Sequence, residues 1–423
     1  MTRYMVISSD CHAGLPSEQY RDWLDPEFHE SFDYFLEQRA QLLELAQRGM
    51  LNEEFADDWK SENEEGLRGG WDAERRDKEL DADGVVGEVI FPDADSVTSG
   101  ASAPFGAGLA SGGDTRPDLL LAGARAHNRW LAQLCATSPK RRAGVALAPI
   151  LGDIDAAVAE IRRAHEDGLW GGILIPPMWQ PHEPYHDQRY DPVWAVCQEL
   201  DMPVHVHSGV ADRPSYGEHV GIYTSEVRWW CTRPLWFFIW SGVFERFPNL
   251  KFAATECGAF WVPDLLWTMD NVFDREHGAK KLGSQLTAQM SMRPSEYFDR
   301  NCAIGASNTR RRELARRFEI GVGNIMWGND FPHPEGTWPH TKEWLSGAFC
   351  DIPVDETEAM LGGNAVEFYG FDADALAPLA DEIGPTSEDF GQDGADLSKW
   401  DGLREAGRPW ITGIEALPAG IGA

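Results

Sequence analysis

Residues 142–177 read RAGVALAPILGDIDAAVAEIRRAHEDGLWGGILIPP. An apolar run, 142–150, ends at Pro149 and Gly152. A stretch with apolar residues at three- and four-residue spacing follows, and a second apolar run closes the segment at 171–177. Apolar residues at that spacing predict an amphipathic helix, and short apolar runs bounded by Gly and Pro predict buried strands. A strand, a helix and a strand in this order imply a parallel pair with a crossover.

The pattern extends in both directions. Strand-like runs fall at 4–10, 85–91, 142–150, 171–177, 202–208, 250–256, 301–307 and 324–330, with helical patterns between most of them. Eight such units predict an α/β fold, a (β/α)8 TIM barrel. Two regions exceed a minimal barrel. Residues 17–80 form an acidic helical insertion after strand one, and the Gly-rich segment 98–114 is expected to be a mobile loop. The expected organisation is a barrel over 1–372 and an irregular C-terminal extension over 373–423 that wraps the barrel or reaches a partner subunit.

Composition narrows the function classes. The 423 residues carry 69 acidic against 37 basic side chains, a net charge of −32. Such a surface opposes sequence-independent binding to nucleic acid or an anionic membrane. No apolar run reaches membrane-spanning length, no targeting segment is visible at the start, and the seven cysteines form no CxxC pair. A cytoplasmic protein is expected. Eighteen tryptophans suggest large aromatic surfaces, at a pocket or between the subunits of an expected homodimer.

Strand ends carry the chemistry-capable residues. Strand one ends in Asp10 and His12, which share a face because side chains two apart on a strand do. Strand five carries His205 and His207, strand six ends in Glu256, and strand eight ends in Asp330, followed by His333. A closed barrel brings these strand ends around one mouth. Seven imidazoles and carboxylates there call for a cation to organise them. All seven are candidate metal ligands, with Glu256 and Asp330 also candidate proton carriers. The aromatic stretch 226–248, EVRWWCTRPLWFFIWSGVFERFP, is expected to wall the pocket, with Arg228, Trp229 and Arg233 touching substrate. Trp338, in EGTWPH at 335–340, is expected at the same mouth.

These motifs together (SSDCHAG, MPVHVHSG, PNLKFAATECGAFW, IMWGNDFPHPEGTWP and GGNAVEFYGFD) resemble the amidohydrolase-2 branch of the amidohydrolase superfamily, the group around aminocarboxymuconate-semialdehyde decarboxylase. The resemblance runs from about residue 4 to residue 372. It implies a barrel-mouth metal held by Asp10, His12, His207 and Asp330. Two departures stand out: Asp10 replaces the first His of the family's H-x-H, and Glu256 replaces a catalytic His found in many members.

The surplus of donors points to two metals, and the branch includes a group of TIM-barrel non-haem di-iron monooxygenases. The favoured expectation is therefore two irons and hydroxylation of a bulky apolar substrate, coenzyme A-linked ones included, with an external reductase or ferredoxin. The alternative is a zinc- or manganese-dependent hydrolase or non-oxidative decarboxylase.

Overall fold

The computed structural model describes residues 3–47, 53–94, 102–109, 115–178, 182–209, 219–279, 288–392 and 394–408. Its centre is one eight-stranded sheet in sequential order, β1 (Val6–His12), β2 (Val85–Phe91), β3 (Arg142–Leu147), β4 (Gly172–Leu174), β5 (Val204–His207), β6 (Phe252–Thr255), β7 (Cys302–Ser307) and β8 (Ile325–Gly328). Every neighbouring pair is parallel. Closure falls just past β8, where Asp330 N donates to Asp10 O at 2.8 Å and His12 N donates to Phe331 O at 2.6 Å. The eight expected runs coincide with these strands, because parallel strands buried on both faces read as continuous apolar runs.

The core has two shells. Ile7, Val89, Val145, Leu174, Ala253 and Met326 fill the barrel, and Ile90, Val204, Phe252 and Trp327 pack outward against the helices. Gly328 permits a close approach at the seam: a Cβ there would meet the Cβ of Asp10 at 2.6 Å. A register shift between Ser8 and Cys11 bends β1 where it enters the mouth, which is how an irregular strand re-aims its side chains.

The insertion is helical, with His29–Gln47, Glu53–Glu62 and Glu64–Leu67 ahead of the first barrel helix, Ala73–Asp83. The C-terminal extension departs from the expectation of irregular chain. Ala373–Ile383 is a helix whose N-cap, Asp372, accepts from Ala375 N at 3.1 Å. Beyond it Gln392 donates to Phe349 O and Ile352 O, tying the extension to the barrel. Most of the Gly-rich segment expected to be mobile, together with residues 409–423, lies outside the described residues. No described helix is long and apolar enough to cross a membrane.

The insertion meets the barrel helix Pro117–Ala136 through a buried pair. Tyr20 shares a 2.8 Å hydrogen bond with Nδ1 of His127, which is fully buried, and burial pushes the imidazole down to about 3. The unfolded chain, with a His near 6.5, binds this proton first. Stability is therefore intact above about pH 6.5 and is lost as pH falls toward the folded value. The contribution lost between pH 6.5 and 4.5 is on the order of 2 kcal/mol. Urea titrations across that range should show the wild-type minus His127→Gln difference in unfolding free energy shrinking as pH falls. A pH-independent difference would refute the assignment.

Candidate metal centre

Four side chains from three strand ends converge on one point. His207 Nε2 lies 3.1 Å from Asp10 Oδ1, and His12 Nε2 lies 3.4 Å from Asp10 Oδ1 and 3.3 Å from Asp330 Oδ1. All four side chains are excluded from solvent.

Both imidazoles have their tautomer set from behind. His12 Nδ1 donates to Pro92 O at 2.7 Å and His207 Nδ1 to Ser208 O at 2.6 Å, which leaves both Nε2 lone pairs facing inward. Such bonds from the other ring nitrogen to a backbone carbonyl orient histidine ligands. Among the described residues, neither His12 Nε2 nor Asp330 Oδ2 has a hydrogen-bond partner. Lone pairs turned toward carboxylate oxygens in a buried site repel unless a cation lies among them. At metal–ligand bonds of roughly 2.0–2.2 Å, ligands on one polyhedron stand about 3.0–3.5 Å apart. The spacings of 3.1–3.4 Å match this range. The residues present fit a divalent ion with mixed imidazole and carboxylate ligands.

The supports are equally specific. Ser307 Oγ donates to Asp10 Oδ2. Arg76 donates to His12 O at 2.9 Å and is held by Glu88 through two nitrogens, Nε and Nη2. Arg142 reaches the same carboxylate at 3.3 Å. A fully buried Arg–Glu–Arg cluster thus fixes the backbone of the first ligand strand.

Four residues just past strand ends, Asp93, Glu256, Asn308 and Asp330, have φ of 67°, 56°, 55° and 61°. Left-handed backbone costs a non-glycine residue about 1–3 kcal/mol and concentrates at functional sites.

The carboxylates are driven apart electrostatically. Burial alone would raise Asp10, but His207 and His12 beside it hold it far below the usual carboxylate range. Asp330 is likewise lowered despite burial, chiefly by His333. Glu256 goes the other way: burial, then the charges of Asp330, Asp10 and Glu335, push it well above the usual range. Its Oε2 stands 3.4 Å from His207 Nδ1. Carboxylates whose proton affinities are pushed in opposite directions within one site are the components of acid–base chemistry.

The expected residues divide into three groups. Asp10, His12, His207 and Asp330 meet at the centre. Glu256 sits on its rim, and His333 hydrogen-bonds Asp330 Oδ1 at 3.0 Å and Asp93 O at 2.9 Å. Arg228 lines the mouth together with Glu256, and Trp229 lines the adjoining groove.

Three others lie elsewhere. His205 faces the barrel interior but deeper, stacked on Tyr369 with Nε2 on Gly171 O, and burial pushes it down to about 4. Arg233 donates to Met178 O at 2.8 Å, in the segment that follows β4. Trp338 is buried toward the insertion, with Nε1 on Glu79 and its ring against Trp59 and Phe331.

The sequence reading passed over Ser307, Asn308, Arg310, Arg312 and Glu335, which line the same cleft of about 550 Å³. The strand-end rule applied to β7 as strictly as to β1 would have found the first two.

Comparison with known proteins places the chain among metal-site and decarboxylase relatives by sequence and fold. The chain is 28% identical to the gamma-resorcylate decarboxylase of Rhodococcus jostii over 53% of its own length and 70% of that protein's. It is 25% identical to the 2-amino-3-carboxymuconate-6-semialdehyde decarboxylase of Dictyostelium discoideum, over 58% and 66% respectively. Its fold is similar to the crystal structure of 5-carboxyvanillate decarboxylase from Novosphingobium aromaticivorans, complexed with manganese and 4-hydroxy-3-methoxy-5-nitrobenzoic acid. The TM-score is 0.62 at 15% identity, covering 87% of this chain and 96% of that one. The amidohydrolase family model matches residues 92–371, about two-thirds of the sequence, and the chain belongs to that family.

Proposed function

We propose that this protein is a metal-dependent enzyme that removes the carboxyl group of an aromatic acid without oxidation. The observation that carries the reading is the convergence of Asp10, His12, His207 and Asp330 on one buried point, with Glu256 on its rim 3.4 Å from His207 Nδ1. The two curated relatives named above are decarboxylases, and they support the non-oxidative decarboxylase alternative rather than the oxygenase. Two irons have no support among them, and the manganese of the Novosphingobium structure belongs to that protein.

Asp10, His12, His207 and Asp330 would hold the cation. Bound there, it would supply positive charge to the substrate's carboxylate and ring oxygen. The chain's own residues do the rest. The carbon–carbon bond to the carboxylate breaks, carbon dioxide leaves, and the electron pair remains on the ring carbon. Glu256, whose proton affinity is raised by its carboxylate neighbours, delivers its proton to that carbon and recovers one from water at the open side of the cleft. Transfer from a positioned acid of raised pKa is what such crowding provides. His333 holds Asp330 in place from behind, and Ser307 does the same for Asp10.

The test is anaerobic. Protein loaded with manganese, offered a panel of ring-hydroxylated benzoates labelled in the carboxyl carbon, should release labelled carbon dioxide without oxygen or reductant. Turnover that requires both oxygen and reductant would overturn the proposal and restore the oxygenase reading.

A further inference from the structure

The mouth does not stop at the metal cluster. The cleft bordered by Glu256, Ser307 and Asn308 also carries Arg228, Arg310 and Arg312. It shares Arg228 and Phe260 with a second cleft of about 600 Å³, walled by Trp229, Trp236, Trp261 and Leu265. The two therefore adjoin across a shared wall. Arg228 stands at the junction with its guanidinium 5.3 Å from the Phe260 ring.

Three arginines, Arg228, Arg310 and Arg312, line this cleft together with Glu256, Glu313 and Glu335. Acidic residues outnumber basic ones 69 to 37, and Arg311, between the two collar arginines, is paired with Asp351. Yet Arg228, Arg310 and Arg312 make no ion pair among the described residues. The buried acid of the same turn is already committed, since Glu313 accepts from Ala259 N at 2.7 Å and Arg310 N at 3.1 Å. Three unpaired guanidinium groups facing one cleft in an acidic protein form a local site for an oxyanion. Beyond them the groove wall is apolar and open to solvent, with Trp229 62% and Phe260 41% exposed. A pocket built for a single small ring needs neither the length nor the outer charge.

We propose that the arginine collar binds a second anionic group of the substrate and that the tryptophan groove holds its apolar arm. The substrate class is an extended aryl acid with a reacting carboxylate at the metal cluster and a further oxyanion on the collar. This rests on the reading of the cluster as the reacting end. The wall that the groove shares with the mouth cleft, Arg228 and Phe260, favours a substrate arm over a second copy of the chain as occupant.

The test reads binding, not turnover, so its failure and that of the decarboxylase reading are separable. The probe is 1-anilinonaphthalene-8-sulfonate, an apolar bicycle with one oxyanion, titrated into the full-length protein. One saturable site per chain is expected, displaced by biphenyl-4,4′-dicarboxylate and not by benzoate. The double variant Arg310→Gln/Arg312→Gln should weaken the probe about ten-fold or more. Trp229→Ala should weaken it about three- to ten-fold. Metal content and the circular dichroism spectrum should be unchanged in both. Unaltered binding in the arginine variant would overturn the collar. A dimer that becomes a monomer in Trp229→Ala would overturn the groove, by showing that it is covered by a second copy.

Discussion

Replacing His207 by alanine is expected to abolish stoichiometric metal and to lower turnover at least about 10³-fold, because cation stabilisation of developing charge is worth several kcal/mol at roughly 1.4 kcal/mol per decade. His207 contributes through geometry and charge together. Its Nδ1–H is spent on Ser208 O, so its Nε2 lone pair has no role other than the centre. Removing it leaves Asp10 buried with one fewer imidazole to hold it ionised. Elemental analysis of protein purified with manganese is the direct measurement. His205→Asn is the matched control two residues away. It should keep the metal, because His205 bonds Gly171 O in the barrel interior. Equal metal loss in both variants would refute the four-residue centre, and retention in His207→Ala would refute it outright.

Glu256→Gln should separate proton delivery from metal binding. The amide keeps the shape of the side chain but has no acidic proton. Turnover is expected to fall about 10²- to 10⁴-fold, the range of a lost general acid. Metal content should stay at the wild-type level, since the four central ligands are untouched. Glutamine would also relieve the repulsion that Glu256 feels from Asp330, Asp10 and Glu335, so the variant should fold at least as well. If metal is lost, Glu256 is a ligand; if turnover persists, the proton comes from elsewhere. Either outcome sinks the role assigned here.

Much of this was legible in the sequence for one physical reason. Strands buried on both faces must be apolar throughout, so a polar residue at the end of such a run stands out. Asp10, His12, His207, Glu256 and Asp330 stood out in this way, and the structure gathers them. His205 shows the limit. Alternation correctly turns both strand-five histidines inward, but positions two apart lie about 6.6 Å apart along the strand. Only His207 reaches the mouth, while His205 stacks on Tyr369. Arg228 and Arg233 differ similarly: five residues along a helix turn the side chain by about 140°, away from the cleft and onto Met178 O. Trp338 was placed by proximity in sequence to Asp330, and its packing against Trp59 of the insertion was invisible there.

By itself, the sequence determined the barrel, the order of its strands, and the identity of the residues able to hold a cation. Periodicity and residue chemistry are local properties, and they suffice for that. The tertiary structure alone decided depth and company: which donors share one point, which carboxyl is crowded by like charges, and which arginines and tryptophans from separate elements line adjoining clefts. Those depend on distances between residues far apart in the chain, set by barrel closure and by the strained turns at the strand ends.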